Sequence, residues 1–473
     1  MHAQLVVLGG GPGGYAAAFL AADLGFDVTI VEQQPRLGGV CLLRGCIPSK
    51  ALLHVAKVIH ESRGLADWGV QLGQPQIDIQ QMRARKEKVI ATLTKGLAGL
   101  AKRRNVRLIQ ARGKLESSQS LRLSDGDLAS YAEGDLLSFD HLILATGSSP
   151  AMPSLFAIGN QRVMDSTGAL DLPDLPNSLL VVGGGYIGLE MGTVYAELGC
   201  QVTVVEMLDG LLPGADRDLV KPLTKRLEKL FKNIYLKTKV TALIDHGAQV
   251  EVIYDGEKIG SEKFDRILVA VGRRPNSRDL GLENTQVQLD DHGFVVTDKR
   301  QRTADPQILA IGDLAGEPML AHKAAHQGKV AVEALAGEPG EFDRLAIPAV
   351  VFTDPEIAWA GLTEEVAKRE GIPYETAQYP WAASGRAQAV GATAGLTKLL
   401  LEPGTERVLG AGLVGSGAGE LIAETVLAIE MGCTARDLAE SIHPHPTLSE
   451  TIAFAGEVQL GVATEVYRPK RKK

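Results

Sequence analysis

One plan of about thirty residues is written twice in this chain. Gln4-Leu-Val-Val-Leu-Gly-Gly-Gly-Pro-Gly-Gly14 runs through an Ala-rich stretch to Val28-Thr-Ile-Val-Glu32. The plan returns as Ser178-Leu-Leu-Val-Val-Gly-Gly-Gly-Tyr-Ile-Gly188 and ends at Val202-Thr-Val-Val-Glu206, with the same glycine-to-acid spacing. Each copy reads as a buried strand, a tight glycine turn, a helix and a second strand closed by an acid. In Gly9-x-Gly11-x-x-Gly14 and Gly183-x-Gly185-x-x-Gly188 the glycines let backbone approach a pyrophosphate. The helix N-terminus offers free amides, and Glu32 or Glu206 can accept from a ribose hydroxyl. A lone fingerprint of this kind is weak evidence. Two, each with strand, helix and acid in place, leave a ligand-free glycine turn as a poor account of both.

A second echo follows each copy: Leu142-Ile-Leu-Ala-Thr-Gly-Ser-Ser-Pro150 and Ile267-Leu-Val-Ala-Val-Gly-Arg-Arg-Pro275. Both read as buried strands ending in a glycine turn, so Gly147 and Gly272 join the expected cofactor contacts. Ile308-Leu-Ala-Ile311, closed by Gly312-Asp313, has no fingerprint and is expected to complete the first domain's sheet. From about Ala346 the character changes. Pro348–Phe352, Thr397–Leu401 and Val408–Val414 look like antiparallel strands, and Gly419–Met431 has helical periodicity with a C-cap at Gly432. The expected class is α/β, with two Rossmann-like dinucleotide-binding domains and a C-terminal α+β dimerisation domain. The expected divisions are 1–150 for FAD, 151–276 for NAD, 277–345 as a central part completing the FAD site, and 346–473 for the interface.

The 473 residues exceed one simple core. A formal charge of −8 argues against nucleic-acid binding. The one basic run, Arg468-Pro-Lys-Arg-Lys-Lys473, reads as a solvated tail. No apolar stretch reads as a bilayer span, and Leu5–Leu8 lacks the basic flank of a signal peptide, so the cytoplasm is the expected compartment. Four cysteines in a chain of this length are no disulfide framework. Two of them stand together in Gly38-Gly-Val-Cys41-Leu-Leu-Arg-Gly-Cys46-Ile-Pro-Ser-Lys50. Within one regular helix, residues five apart could not bridge. Pro48 would clash with a helical carbonyl at residue 44, which predicts a regular helix from about residue 47 and a distorted lead-in where a bridge can close. Cys46 then sits at a helix N-terminus, which favours its thiolate. A metal site lacks a second ligand pair, and redox function is favoured over two core thiols. Two dinucleotides in one chain suggest FAD at the first fingerprint, beside the cysteines, and NAD at the second. Glu206 would repel a 2′-phosphate, which favours NAD over NADP.

With the repeated fingerprints and His443-Pro-His-Pro-Thr-Leu-Ser-Glu450, this segment resembles the pyridine nucleotide–disulfide oxidoreductases, and among them the dihydrolipoyl dehydrogenases, over essentially the whole chain. The resemblance implies a homodimer acting on dihydrolipoyl groups of acyltransferase or glycine-cleavage carrier proteins, docked on a 2-oxoacid dehydrogenase core. It implies that Cys46 lies against the flavin and Cys41 exchanges with substrate, that Lys50 pairs with Glu190 beside the flavin, and that Asp313 contacts the ribityl chain. His445 suits a base with a pKa near neutrality, oriented by Glu450. The residues alone leave that reading level with an exposed histidine in a Pro-rich turn, and the resemblance tips it to catalysis at the other subunit's site. His443 keeps the bland reading, and Cys200 and Cys433 are expected to be inert buried thiols. Val40, Leu43 and Arg44 depart from the commonest family form, where Thr, Asn and a small aliphatic stand. Tyr186 replaces a smaller residue and could shield the flavin. Mercuric reductase is disfavoured because the C-terminus lacks a cysteine pair, glutathione reductase by Glu206, and a soluble transhydrogenase by the dithiol itself. A non-catalytic scaffold in a dehydrogenase complex is the rival of another class.

Overall fold

The computed structural model describes residues 1–467; the basic run Arg468–Lys473 lies outside them. Apolar runs without alternation make buried parallel strands, and the first sheet is built this way. His2–Leu8 is flanked by Val28–Glu32 and Leu136–Leu144, with Arg107–Gln110 beyond the former, all parallel. Ile308–Ala310 pairs parallel with Leu142–Leu144, so the segment after residue 277 returns to the first sheet. It is held there by helix packing. A Cβ on Gly328 would press on the Gly13 carbonyl, so helices Pro12–Asp23 and Ala321–Leu335 approach through small residues. Ser120–Ser124 and Arg112–Ser117 add antiparallel strands on the Leu136–Leu144 side.

The second copy repeats the arrangement. Ser178–Val182 lies between Gln201–Val205 and Arg266–Val269, with Asn233–Tyr235 and Val163–Met164 at the edges, all parallel. The two units meet in a short antiparallel pair, Ser148–Pro150 with Arg273–Pro275, formed by the tails of the two echoed strands. The C-terminal unit is an antiparallel sheet of five strands, two of which, Glu356–Gly361 and Glu375–Pro380, carried no clear sequence signal. Helices Ala418–Glu430 and Glu450–Leu460 complete it. Fully buried Trp381 anchors this unit and donates from Nε1 to Thr397 at 2.9 Å.

Gly39–Trp68 is long and apolar enough by composition to cross a membrane. Its fold argues for a core helix. The run breaks at Gly45, its Leu52, Leu53, Ala56 and Ile59 are buried in the central core, and Lys50, Lys57 and Arg63 are tied to acceptors on other elements.

Candidate active site

Behind the first fingerprint the chain turns through Gly38 (φ 131°) and Gly39 (φ 58°), a left-handed pair that side chains would strain. Gly38 N–H donates to the Gly10 carbonyl at 2.8 Å, which hangs the cysteine segment directly on the glycine turn. The break comes later than the sequence predicts. Gly39–Arg44 is already a short helix containing Cys41, and a single residue, Gly45 (φ −147°, ψ −110°), separates it from Cys46–Gly64. A Cβ on Gly45 would lie 2.9 Å from the Val40 carbonyl oxygen, so the kink needs glycine. The kink brings Cys46 back against Cys41.

All four cysteines are unbridged, and Cys41 and Cys46 stand together as a dithiol on the wall of one cavity. The two ionise unequally. The neighbouring Cys46 sulfur, together with burial, drives the Cys41 thiol far up. The neighbouring Cys41 thiol, with Lys50 nearby, lowers Cys46 to about 7 against the opposing effect of burial. Cys46 is exposed and Cys41 half-buried, and both open into a cavity of about 600 Å³.

That cavity is lined by Gly11, Cys41, Cys46, Lys50, Tyr186 and Asp313, so groups from both fingerprints and the third segment meet at the dithiol. Gly9, Glu32, Gly147 and Glu190 also reach it. Its size falls in the range of about 300–1,000 Å³ usual for cofactor sites. Lys50 Nζ lies 2.9 and 3.1 Å from the carboxylate oxygens of buried Glu190, and 4.5 Å above the Phe352 ring centroid. Phe352 N–H also donates to Glu190, at 2.9 Å, so that carboxylate is fixed from two elements. Asp313 Oδ2 accepts from Ser148 at 2.5 Å, and Arg273 donates to the same hydroxyl at 2.8 Å. Sequence reasoning missed Ser148, Arg273 and Phe352. The repeated strand ends at 148–150 and 273–275 carried a signal for the first two.

The glycines of both fingerprints divide by role. A Cβ on Gly9 or Gly183 (φ 112° and 107°) would collide with the Ala145 or Ala270 carbonyl. On Gly14 or Gly188 it would press on the Gly9 or Gly183 carbonyl, so these four are demanded by the turn itself. Gly11 and Gly185 meet nothing closer than 3.7 Å. Their bareness therefore serves something outside the protein backbone, as an approaching pyrophosphate requires. Glu32 accepts from Gly10 N–H (2.7 Å) and Gln34 N–H (2.8 Å), and Glu206 accepts from Gly184 N–H (2.6 Å) and Leu208 N–H (2.8 Å). Each carboxylate is thus locked over its own turn, with lone pairs to spare for a ribose. Gly272 (φ 116°) has open space around it and accepts from Ala151 N–H at 2.9 Å.

His445 is not brought to the dithiol within the chain. Its side chain is 78% exposed, and Nδ1 lies 2.9 Å from Oε1 of buried Glu450, whose other oxygen accepts from Thr447 N–H at 2.8 Å. Because Nδ1 faces a carboxylate, the tautomer with its proton on Nδ1 is favoured, which leaves Nε2 free.

These features meet in known proteins. Residues 3–328 match the family model described as pyridine nucleotide-disulphide oxidoreductase, and residues 347–455 match that family's dimerisation domain. The chain is a pyridine nucleotide–disulphide oxidoreductase. It is 49% identical over 475 residues to a dihydrolipoyl dehydrogenase of Vibrio parahaemolyticus, covering 100% of this chain and 99% of that one. The dihydrolipoyl dehydrogenase of Haemophilus influenzae is 48% identical over 99% and 97% of the two chains. Among solved structures, LpdA of Mycobacterium tuberculosis superposes with TM-score 0.88 at 29% identity, over 96% of this chain and 99% of that one. The HOCl-induced flavoprotein disulfide reductase RclA of Escherichia coli, solved as a Cu(II) complex, gives 0.86 at 28%, over 97% and 99%.

As a member of this family the oxidoreductase uses FAD and NAD, and the expected fold class holds throughout. Its residues suit both groups, through the bare second glycines, the carboxylates over each turn and the shared cavity. Tyr186 forms part of the cavity wall, and burial pushes its phenol up to about 12. His443 is held between Glu424 (Nε2, 2.7 Å) and the Ser441 carbonyl (Nδ1, 2.8 Å). Cys200 is buried, which pushes its thiol up to about 12, whereas Cys433 is only partly covered.

Proposed function

We propose that the chain is a dihydrolipoyl dehydrogenase. It oxidises the dihydrolipoyl group of an acyltransferase or glycine-cleavage carrier protein, docked on a 2-oxoacid dehydrogenase core, and passes the electrons to NAD. The observation that carries this reading is the Cys41–Cys46 dithiol on the wall of a cofactor-sized cavity, beside the Lys50–Glu190 ion pair and both glycine fingerprints. Held at the cavity lined by Gly11, Lys50 and Asp313, FAD would supply two-electron redox chemistry between the dithiol and NAD.

In the oxidised state Cys41 and Cys46 form a disulfide. His445 Nε2 takes a proton from one substrate thiol, and the resulting thiolate attacks Cys41 Sγ. The Cys41–Cys46 bond breaks and Cys46 leaves as thiolate, the form the nearby Lys50 cation stabilises. The second substrate sulfur then closes the lipoyl ring, releasing Cys41, which keeps a proton as its raised pKa dictates. Two electrons leave the substrate and two arrive on the dithiol. Glu450 orients the imidazole and stabilises its cation.

His445 is exposed and does not line the cavity of its own chain, which supports a role at the second subunit's site; in that reading an isolated subunit is inactive. In the same reading residues 1–150 and 277–345 hold FAD, 151–276 hold NAD and 346–473 make the dimer contact. Lys50, Glu190, Asp313 and Gly147 attend the flavin, and Gly183, Gly185, Gly188, Glu206 and Gly272 attend NAD. The cytoplasm is the compartment this reading assigns. The test is His445→Gln, for which lipoamide turnover falls about 100-fold or more while anaerobic flavin reduction by NADH persists. Undiminished turnover would remove His445 as the base.

A further inference from the structure

A lysine with no exposed side-chain surface needs partners, since an unpaired buried charge is strongly disfavoured. Lys398, on strand Leu396–Leu401, is such a residue and has three partners. Its Nζ lies 2.7 Å from Asp216, 2.7 Å from Asp218 and 2.9 Å from Glu364. Lys398 and Glu364 belong to the C-terminal unit, whereas Asp216 and Asp218 open helix Arg217–Leu230 of the second dinucleotide unit. Two further bonds run between the same units: Glu364 N–H to Asp216 at 2.9 Å, and Gln378 to Asp218 at 2.9 Å. The carboxylates could hold a metal ion by their spacing alone, but the ammonium already stands among them.

What ends at Asp216 is the loop that walls the second fingerprint. The loop starts at Glu206, whose carboxylate binds Gly184 and Leu208. Its Leu212 N–H donates to the Gly184 carbonyl at 2.9 Å, and the Leu211 side chain packs so closely on Gly184 that a Cβ there would sit 2.7 Å from it. Arg217, beside Asp216, donates back to the Leu211 carbonyl (2.7 Å) and to those of Leu212 and Ala215. The loop is therefore one hydrogen-bonded body, with the glycine turn at one end and the buried lysine of another unit at the other.

We propose that Lys398 is a positioning residue for NAD. From the C-terminal unit it fixes the Met207–Asp216 loop, and through that loop it sets Glu206 and the second glycine turn in the geometry that receives the dinucleotide. The inference rests on the assignment of NAD to that turn. Removing the ammonium leaves three carboxylates facing one another across the unit boundary. Their repulsion acts on the loop and leaves the dithiol and the flavin cavity untouched.

The test uses the FAD-loaded dimer, with NAD and free dihydrolipoamide as substrates. Lys398→Met is expected to raise KM for NAD about tenfold, with KM for the dithiol, kcat at saturating NAD and the flavin spectrum unchanged. Asp218→Asn, which removes one charge from a partly exposed position, is expected to give a smaller rise of about threefold. It decides alone if Lys398→Met yields no folded protein. Unchanged KM for NAD in the folded variants overturns the proposal. So does a joint rise of both KM values with a fall in Tm, which marks a merely structural role. Gly185→Ala separates this from the cofactor assignment. If Gly185→Ala raises KM for NAD and the Lys398 and Asp218 variants do not, only the present inference fails; if Gly185→Ala also has no effect, the assignment itself fails.

Discussion

The unequal ionisation of the dithiol can be tested by removing its largest cause. Cys46 is lowered first by the adjoining Cys41 thiol, with burial opposing it and the Lys50 cation assisting it. At pH 7 a thiol titrating at about 7 is about half thiolate, whereas one at the ordinary 9.0 is about 1% thiolate, a difference of about fiftyfold in the reactive form. Cys41→Ala removes the Cys41 sulfur and leaves burial opposing Lys50, so the midpoint should climb above that of the wild type. Cys41→Ser puts an O–H group in its place and should recover part of the shift. The sign is fixed. The anion is the stabilised species, so it is lost as pH falls through 7 in the wild type and through a higher pH in Cys41→Ala. The assay is pH titration of the long-wavelength thiolate-to-flavin absorbance. It uses two-electron-reduced wild type and the thiol form of each variant, with FAD bound. Because the band needs a thiolate touching the ring, Cys41 does not contribute to it. A wild-type midpoint near 9, or one that Cys41→Ala leaves in place, would refute the argument.

Three other outcomes follow from the geometry. Gly14→Ala drives a Cβ onto the Gly9 carbonyl and should yield protein without flavin, while Gly11→Ala, which has room against the chain, should fold and lose FAD affinity about tenfold or more, read by fluorescence on titration. Glu190→Leu strands both Lys50 and the Phe352 amide and should cost about 2–4 kcal/mol in denaturant unfolding, with the 31% exposure of Lys50 keeping the loss below that of a sealed pair. Glu206→Gln keeps one acceptor for its turn but sheds the charge, so kcat/KM with NADP should rise about tenfold relative to NAD; an unchanged ratio would mean the carboxylate does not select the cofactor.

How much of this was legible beforehand depends on whether the information is local. Both glycine turns were readable because every constraint on them lies within one strand–turn–helix: Gly14 and Gly188 are bare because of a carbonyl five residues earlier. The cysteine segment was readable in kind but not in detail. Pro48 is compatible with a helix that starts at Cys46, and the decisive break is one residue of unusual φ and ψ, Gly45, whose need for glycine comes from the Val40 carbonyl. What the sequence hid was contact between distant segments. Phe352 under Lys50, Ser148 between Asp313 and Arg273, and Lys398 among Asp216, Asp218 and Glu364 join positions more than a hundred residues apart in most cases. None of these residues has a local reason for its chemistry; Thr-Lys-Leu-Leu in a strand reads as one polar interruption of an apolar run. Physically the two kinds of residue do different work. The local motifs build surfaces that can accept a dinucleotide or a dithiol, and the long-range charges fix how those surfaces face one another. An electron path needs both, because a thiolate of the right pKa transfers nothing unless the units on either side of it are held in register.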